Sequence, residues 1–214
     1  MTYNFQMTKR EKYIKVFNKY VPEVFSPMLA DLLYGSNVSF KVVKARTSKL
    51  GDFRTGVAIK QPIITINSDL NEYAFLITSL HEFAHYHTFK KFGNKVLPHG
   101  KEWKDAFRLL LLPVINSGFL PKDIETALVS SLINTKASSC SDINLSRTLH
   151  RYNKPSIGFR LEEIPKNTTF ALNNRQFIKL TKRRTRYECK ELSSGKIYLV
   201  HAMAMVTKKE EHGE

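Results

Sequence analysis

The sequence predicts an α+β fold in two parts, a helical region enclosing a small sheet and then a short all-β module. Two observations carry this. Apolar residues recur at helical spacing over residues 9–34, 73–92, 101–112 and 121–134, with a strand-like stretch at 38–66 between the first two. After a run of small residues near 136–142, the pattern changes to short alternating segments separated by turn residues. The expected organisation is a core over 1–135, a linker over 136–155, a β-rich module over 156–207 and a charged, disordered tail over 208–214.

Taken in order, Tyr13, Phe17, Tyr20 and Val21 form a first apolar stripe, interrupted near Pro22. Phe25, Met28, Leu29, Leu32 and Leu33 form a second, which Gly35-Ser36-Asn37 ends. Val38–Val43 alternates, Gly51-Asp52 reads as a turn, and Pro62–Ile66 is a short β-branched run. The next helix, Tyr73 to Phe92, is capped by Ser68 or Asn71 and stopped by Gly93-Asn94. A further helix runs from Lys101 to Leu112, with Trp103, Phe107 and Leu110 or Leu111 on its buried side and Pro113 breaking it. Another spans 121–134, with Pro121 at its start and Ile124, Leu128 and Leu132 along one face.

The helix over 73–92 carries His81-Glu82-Phe83-Ala84-His85, the pattern H-E-x-x-H. Residues four apart on a helix lie about 40° apart around its axis, so His81 and His85 share a face. Two imidazoles so placed can grip one divalent metal, and Glu82, one step round, can act as general base toward water activated there. A third ligand comes from beyond the helix. His87, six residues after His81, points away from the shared face. His99 is better placed, because Phe92–Pro98 lets the chain double back before His99-Gly100 opens the next helix. Glu102 is the alternative, although a first-turn carboxylate is already favoured by the helix dipole.

The stretch HEFAHYHTFKKFGNKVLPHGKEWKDAF resembles the core of the SprT-like metallopeptidases, which include the DNA–protein-crosslink protease Spartan. The matching elements are His81-Glu82-x-x-His85, thirteen residues, then His99-Gly100-x-Glu102-Trp103, and the resemblance covers roughly residues 5–115. It implies a zincin-like core, one Zn²⁺ per chain held by His81, His85 and His99, and Glu82 as catalytic acid/base. It also implies a protein substrate associated with or crosslinked to DNA, held extended on an edge strand beside the site. Many relatives carry a four-cysteine zinc ribbon in the C-terminal region. Here Cys189 is the only cysteine in that region, and with His201 it cannot complete a closed four-ligand site. The expectation is therefore a ribbon-like β module without its own zinc.

The net charge is +15 and is unevenly spread. Residues 1–60 are net +7, residues 61–145 neutral and residues 146–214 net +8. Such an excess suggests a polyanionic partner, nucleic acid first. In the β module Lys179, Lys182, Arg183, Arg184, Arg186 and Lys190 crowd together near Phe177 and Tyr187, as phosphate contacts and base-stacking rings would in single-stranded DNA binding. The competing reading of these residues is a solvated strand face. At the level of the whole chain, the alternative to a peptidase is a nucleic-acid-binding protein with a structural or inactive zinc site; an intact Glu82 favours the peptidase. No secretory h-region or membrane-length apolar run is present, and two cysteines, Cys140 and Cys189, are expected as free thiols, all pointing to the cytoplasm.

Overall fold

The computed structural model describes residues 7–46, 49–56, 58–133, 142–154 and 158–208. They form a mixed α+β protein that divides into two compact units, 1–153 and 154–214. No helix among the described residues is long and apolar enough to cross a membrane.

The first unit begins with α1 (Lys9–Phe17), started by a capping box in which Thr8 and Glu11 bond each other's backbone N–H. A short 3-10 turn at Glu23–Phe25 leads into α2 (Ser26–Tyr34). Three strands follow: β1 (Ser39–Val43), β2 (Gly51–Arg54) and β3 (Ile63–Asn67). β3 lies in the middle, parallel to β1 and antiparallel to β2, so β2 is an edge strand.

The central element is α3 (Glu72–Phe92). Asn71 caps it by accepting from the Tyr73 and Ala74 N–H groups. From Ala74 to Ala84 every residue is buried. Phe75, Leu76, Leu80 and Phe83 supply the driving force, roughly 1.5–3 kcal/mol for each fully buried side chain, and the same stretch carries His81 and Glu82 into the core.

α4 (Lys101–Ile115) passes straight through Pro113, where the sequence suggested a break. The ring removes one helical hydrogen bond. Val114 behind it is fully buried and Asn116 N–H bonds Leu112 O, which keeps the last turn in place. α5 spans Lys122–Ile133. The expected linker also needs correction: residues 143–150 form α6 (Ile143–His150), capped by Asp142. α6 belongs to the first unit because Leu145 is buried there, Asn71 donates to Leu149 O, and Tyr152 donates to Asp123 while packing on Tyr73. Residues 134–141, with Cys140, lie outside the described residues.

The second unit is a six-stranded antiparallel sheet in the order β4-β9-β5-β6-β7-β8. Its strands are β4 (Phe159–Arg160), β5 (Thr169–Leu172), β6 (Arg175–Arg183), β7 (Arg186–Glu191), β8 (Ile197–His201) and β9 (Met205–Lys208). Asn173 and Asn174, both at positive φ, turn β5 into β6, as a two-residue hairpin requires. β9 was missed by sequence because Met-Val-Thr-Lys is too short to alternate visibly. It pairs with β4 and β5, so Lys208 is in a strand and not in a tail; residues 209–214 lie outside the described residues. Leu161, Ile164, Phe170, Phe177, Cys189 and Val206 form this unit's own core.

Candidate metal centre

α3 places His81 and His85 one turn apart, and the chain then returns to add His99. Gly93 ends α3 at φ 62°, and His99 itself sits at φ 59°, a conformation histidine adopts more readily than most residues. Gly100 follows as the first cap of α4; a Cβ there would stand 2.9 Å from Leu97 O, so the turn that delivers His99 requires glycine.

The three Nε2 atoms form a small triangle. His85 lies 3.2 Å from His81 and 3.0 Å from His99, and His99 lies 3.2 Å from His81. Among the described residues this is the one group of three or more His, Cys, Asp or Glu side chains able to hold a metal ion. His87 is exposed and outside it, and Glu102 is not part of it.

Burial, and then the neighbouring imidazoles, press these histidines toward the neutral form. The His81 pKa is lowered to about 2 and that of His85 to about 4, and that of His99 is lowered by burial and by Lys104. Each Nε2 therefore has either one lone pair or one proton. Three such atoms in mutual contact cannot all pair as donor and acceptor, since whichever carry protons at least one edge faces like to like. A divalent ion resolves this. Zinc with bonds of about 2.0–2.1 Å in tetrahedral geometry needs ligand nitrogens about 3.3–3.4 Å apart, close to the edges seen. Trp103 packs against all three rings, with centroids 4.6 Å from His81 and His99 and 5.2 Å from His85. It is 2% exposed, and its indole N–H is buried without a hydrogen-bond partner among the described residues.

Glu82 is 5% exposed. Desolvation, followed by the nearby Asp52 carboxylate, raises its pKa to about 8, while the Phe53 backbone N–H, Arg46 and Lys49 pull the other way. Asp52 is itself held by Lys49 at 2.9 Å and Arg54 at 3.0 Å. A dication beside Glu82 would favour its carboxylate form.

Sequence reading missed the part β2 plays here. Gly51-Asp52 is the start of this strand and not only a turn. Gly51 lies directly against the Glu82 side chain, and the Phe53 ring runs parallel to that of His85, 6.5 Å away at 4°. A glycine and an aromatic two apart on a four-residue strand gave no signal distinguishing them from ordinary sheet residues.

In the second unit the expected basic cluster divides. Lys182, Arg183, Arg184, Arg186 and Lys190 are exposed, with Arg183 paired to Glu188 at 2.9 Å. Lys179 is not a phosphate contact: it is 4% exposed, with its ammonium donating to Ile164 O and Glu162 O and lying 4.0 Å over the Tyr187 ring. The alternation of β6 turns Lys179 inward beside Phe177, and the bulge between Lys179 and Lys182 interrupts that alternation before the exposed residues begin.

No known protein family's profile matches the chain, and neither does any curated protein or solved structure.

Proposed function

We propose that this chain is a zinc-dependent peptidase of the SprT-like type, with a zincin-like first unit. The observation that carries the reading is the His81–His85–His99 triangle with the buried Glu82 carboxyl one residue from the first ligand. A structural metal site has no use for a buried carboxyl in that position, whereas hydrolysis needs a base there.

His81, His85 and His99 would hold the ion. Bound zinc supplies Lewis acidity, polarising a peptide carbonyl and making water easier to deprotonate. Glu82 takes the proton of the attacking water on a carboxylate oxygen and returns it to the leaving nitrogen. A dication held by the three histidines would keep Glu82 in the carboxylate form, the form that accepts the proton. Trp103 and Phe107 close the inner side of the histidine cluster with stacked rings 5.0 Å apart. β2, the sheet edge nearest Glu82, supplies main-chain groups along which an extended polypeptide can pair.

Proteins held on DNA fit the charge distribution as substrates. The exposed Lys182, Arg183, Arg184, Arg186 and Lys190 would meet phosphates, while the stretch around the metal centre is neutral overall. The test is cleavage of casein, with and without single-stranded DNA, by zinc-loaded wild type and Glu82→Gln. Metal-dependent cleavage that disappears in the variant supports the reading; cleavage of equal rate in both proteins contradicts it.

A further inference from the structure

Glu82 is held from one side by α3 and from the other by a strand position that has no side chain. A Cβ built at Gly51 would stand 2.6 Å from Glu82 Oε1, 2.9 Å from Glu82 Cγ and 2.7 Å from Thr78 Cγ2. Carbon atoms pack at about 3.5–4.0 Å, so any side chain there forces something to move.

The strand is poorly able to yield. Gly51 is in register with Ile66 of β3, and the next residue of β3, Asn67, anchors the segment before it. Asn67 N–H bonds Leu50 O, and its buried side chain donates to Arg46 O and Lys49 O while accepting from the Arg46 guanidinium. Nor is the helix free to shift, because Ile77, Thr78, Leu80 and Phe83 around the contact are all buried. The Glu82 side chain, with its rotatable bonds, is the part that would give way.

We propose that Gly51 is a positioning residue for Glu82, the absence of its side chain setting where the carboxyl rests against β2. The contact stands on geometry alone; its kinetic consequence rests on the peptidase reading above. A larger residue at 51 leaves the three histidines untouched and displaces the base. A misplacement of about 1 Å in a reacting group typically costs about a hundredfold in rate.

The experiment compares Gly51→Ala, Glu82→Ala and the double variant with wild type, all zinc-loaded and full length. For Gly51→Ala the expected result is one zinc per chain, a KM within a few-fold of wild type and a kcat lowered about a hundredfold. Melting temperature should fall when Gly51→Ala is introduced into wild type and fall less when it is introduced into Glu82→Ala, because the double variant has removed the two Glu82 atoms that Cβ would strike and leaves only Thr78 Cγ2 in its way. If Gly51→Ala does not fold, the double variant should still do so. A kcat near wild type, or an equal loss of melting temperature in both backgrounds, overturns the proposal. Should the wild type cleave no protein, the peptidase reading fails and the melting comparison alone decides the contact: a smaller loss in the Glu82→Ala background upholds it, and an equal loss rejects it.

Discussion

Each unit buries polar nitrogen in its interior, and the two do so in opposite ways. In the second unit Lys179 enters the core as a single ammonium and finds acceptors within the protein, the Ile164 and Glu162 carbonyls and the face of Tyr187. In the first unit His81, His85 and His99 bring three ring nitrogens together at 3.0–3.2 Å, where they cannot all pair as donor and acceptor. A buried polar group whose partners are supplied by its own fold is structure. Three ring nitrogens crowded into one triangle, each pressed toward the neutral form, are close enough to hold a metal ion between them. This difference separates a scaffold from a site more sharply than burial or charge does, since both units have each in abundance.

The largest expected effect tests the functional side. Glu82→Gln keeps the size of the side chain and removes its basicity, so cleavage should fall about 10²–10⁴-fold with zinc content unchanged. A casein assay paired with metal analysis checks this. The matching test of the structural side is Lys179→Met, which strips the ammonium from the Ile164 and Glu162 carbonyls. Hydrogen bonds to a charged group contribute about 1.5–3 kcal/mol, and chemical denaturation of the second unit should show a loss of that order. Zinc content and cleavage should not change; if they do, the two centres are not independent.

Acid should find the two units in a definite order. Metal-free His81, His85 and His99 have folded pKa values below the usual 6.5, so the unfolded chain binds more protons and the first unit loses stability as pH falls below about 6.5. Glu82 acts oppositely, with its pKa raised to about 8: its contribution is complete below about 4.5 and is lost as pH rises through 8. Three imidazoles outweigh this one carboxyl between 4.5 and 6.5. In the second unit Glu191, hydrogen-bonded by Arg175 and Ser194, has its pKa lowered to about 2. Its contribution is present above about 4.5 and is lost as pH falls from there toward 2. Melting curves across pH 3–8 on chelated protein, followed by Trp103 fluorescence for the first unit and hydrogen exchange for the second, would show the first unit weakening at the higher pH.

The smallest effect concerns the exposed cations. If Lys182, Arg183, Arg184 and Arg186 each meet a phosphate, the salt slope for single-stranded DNA is about −0.7 per contact, or about −2.8 together. Replacing the four with alanine should flatten most of that slope without altering zinc content. An unchanged slope by fluorescence anisotropy removes the cluster from the account.

What the sequence made legible follows from how local each feature is. His81, Glu82 and His85 are fixed by helix periodicity alone, and the stop at Gly93 with the turn into Gly100 brings in His99. The α+β division was readable because period 3.6 gives way to period 2. Three of the features that were not readable bear on the buried groups and on where the units divide. α6 is short, and only the burial of Leu145 and the bond from Asn71 to Leu149 O show that residues 143–150 belong to the first unit. Lys179 looked like its basic neighbours because composition does not reveal which way a strand residue points across a bulge. Gly51 lies about thirty residues from Glu82 in sequence, and nothing local announces that its missing side chain matters.

The first unit's clustered histidine nitrogens are close enough to hold a metal ion, and metal content after zinc loading and desalting, in wild type and in His85→Ala, tests whether they do. The account predicts one zinc per wild-type chain and almost none in the variant, with the second unit's sheet intact in both. A wild type that retains no metal, or a His85→Ala protein that retains as much as wild type, would contradict it.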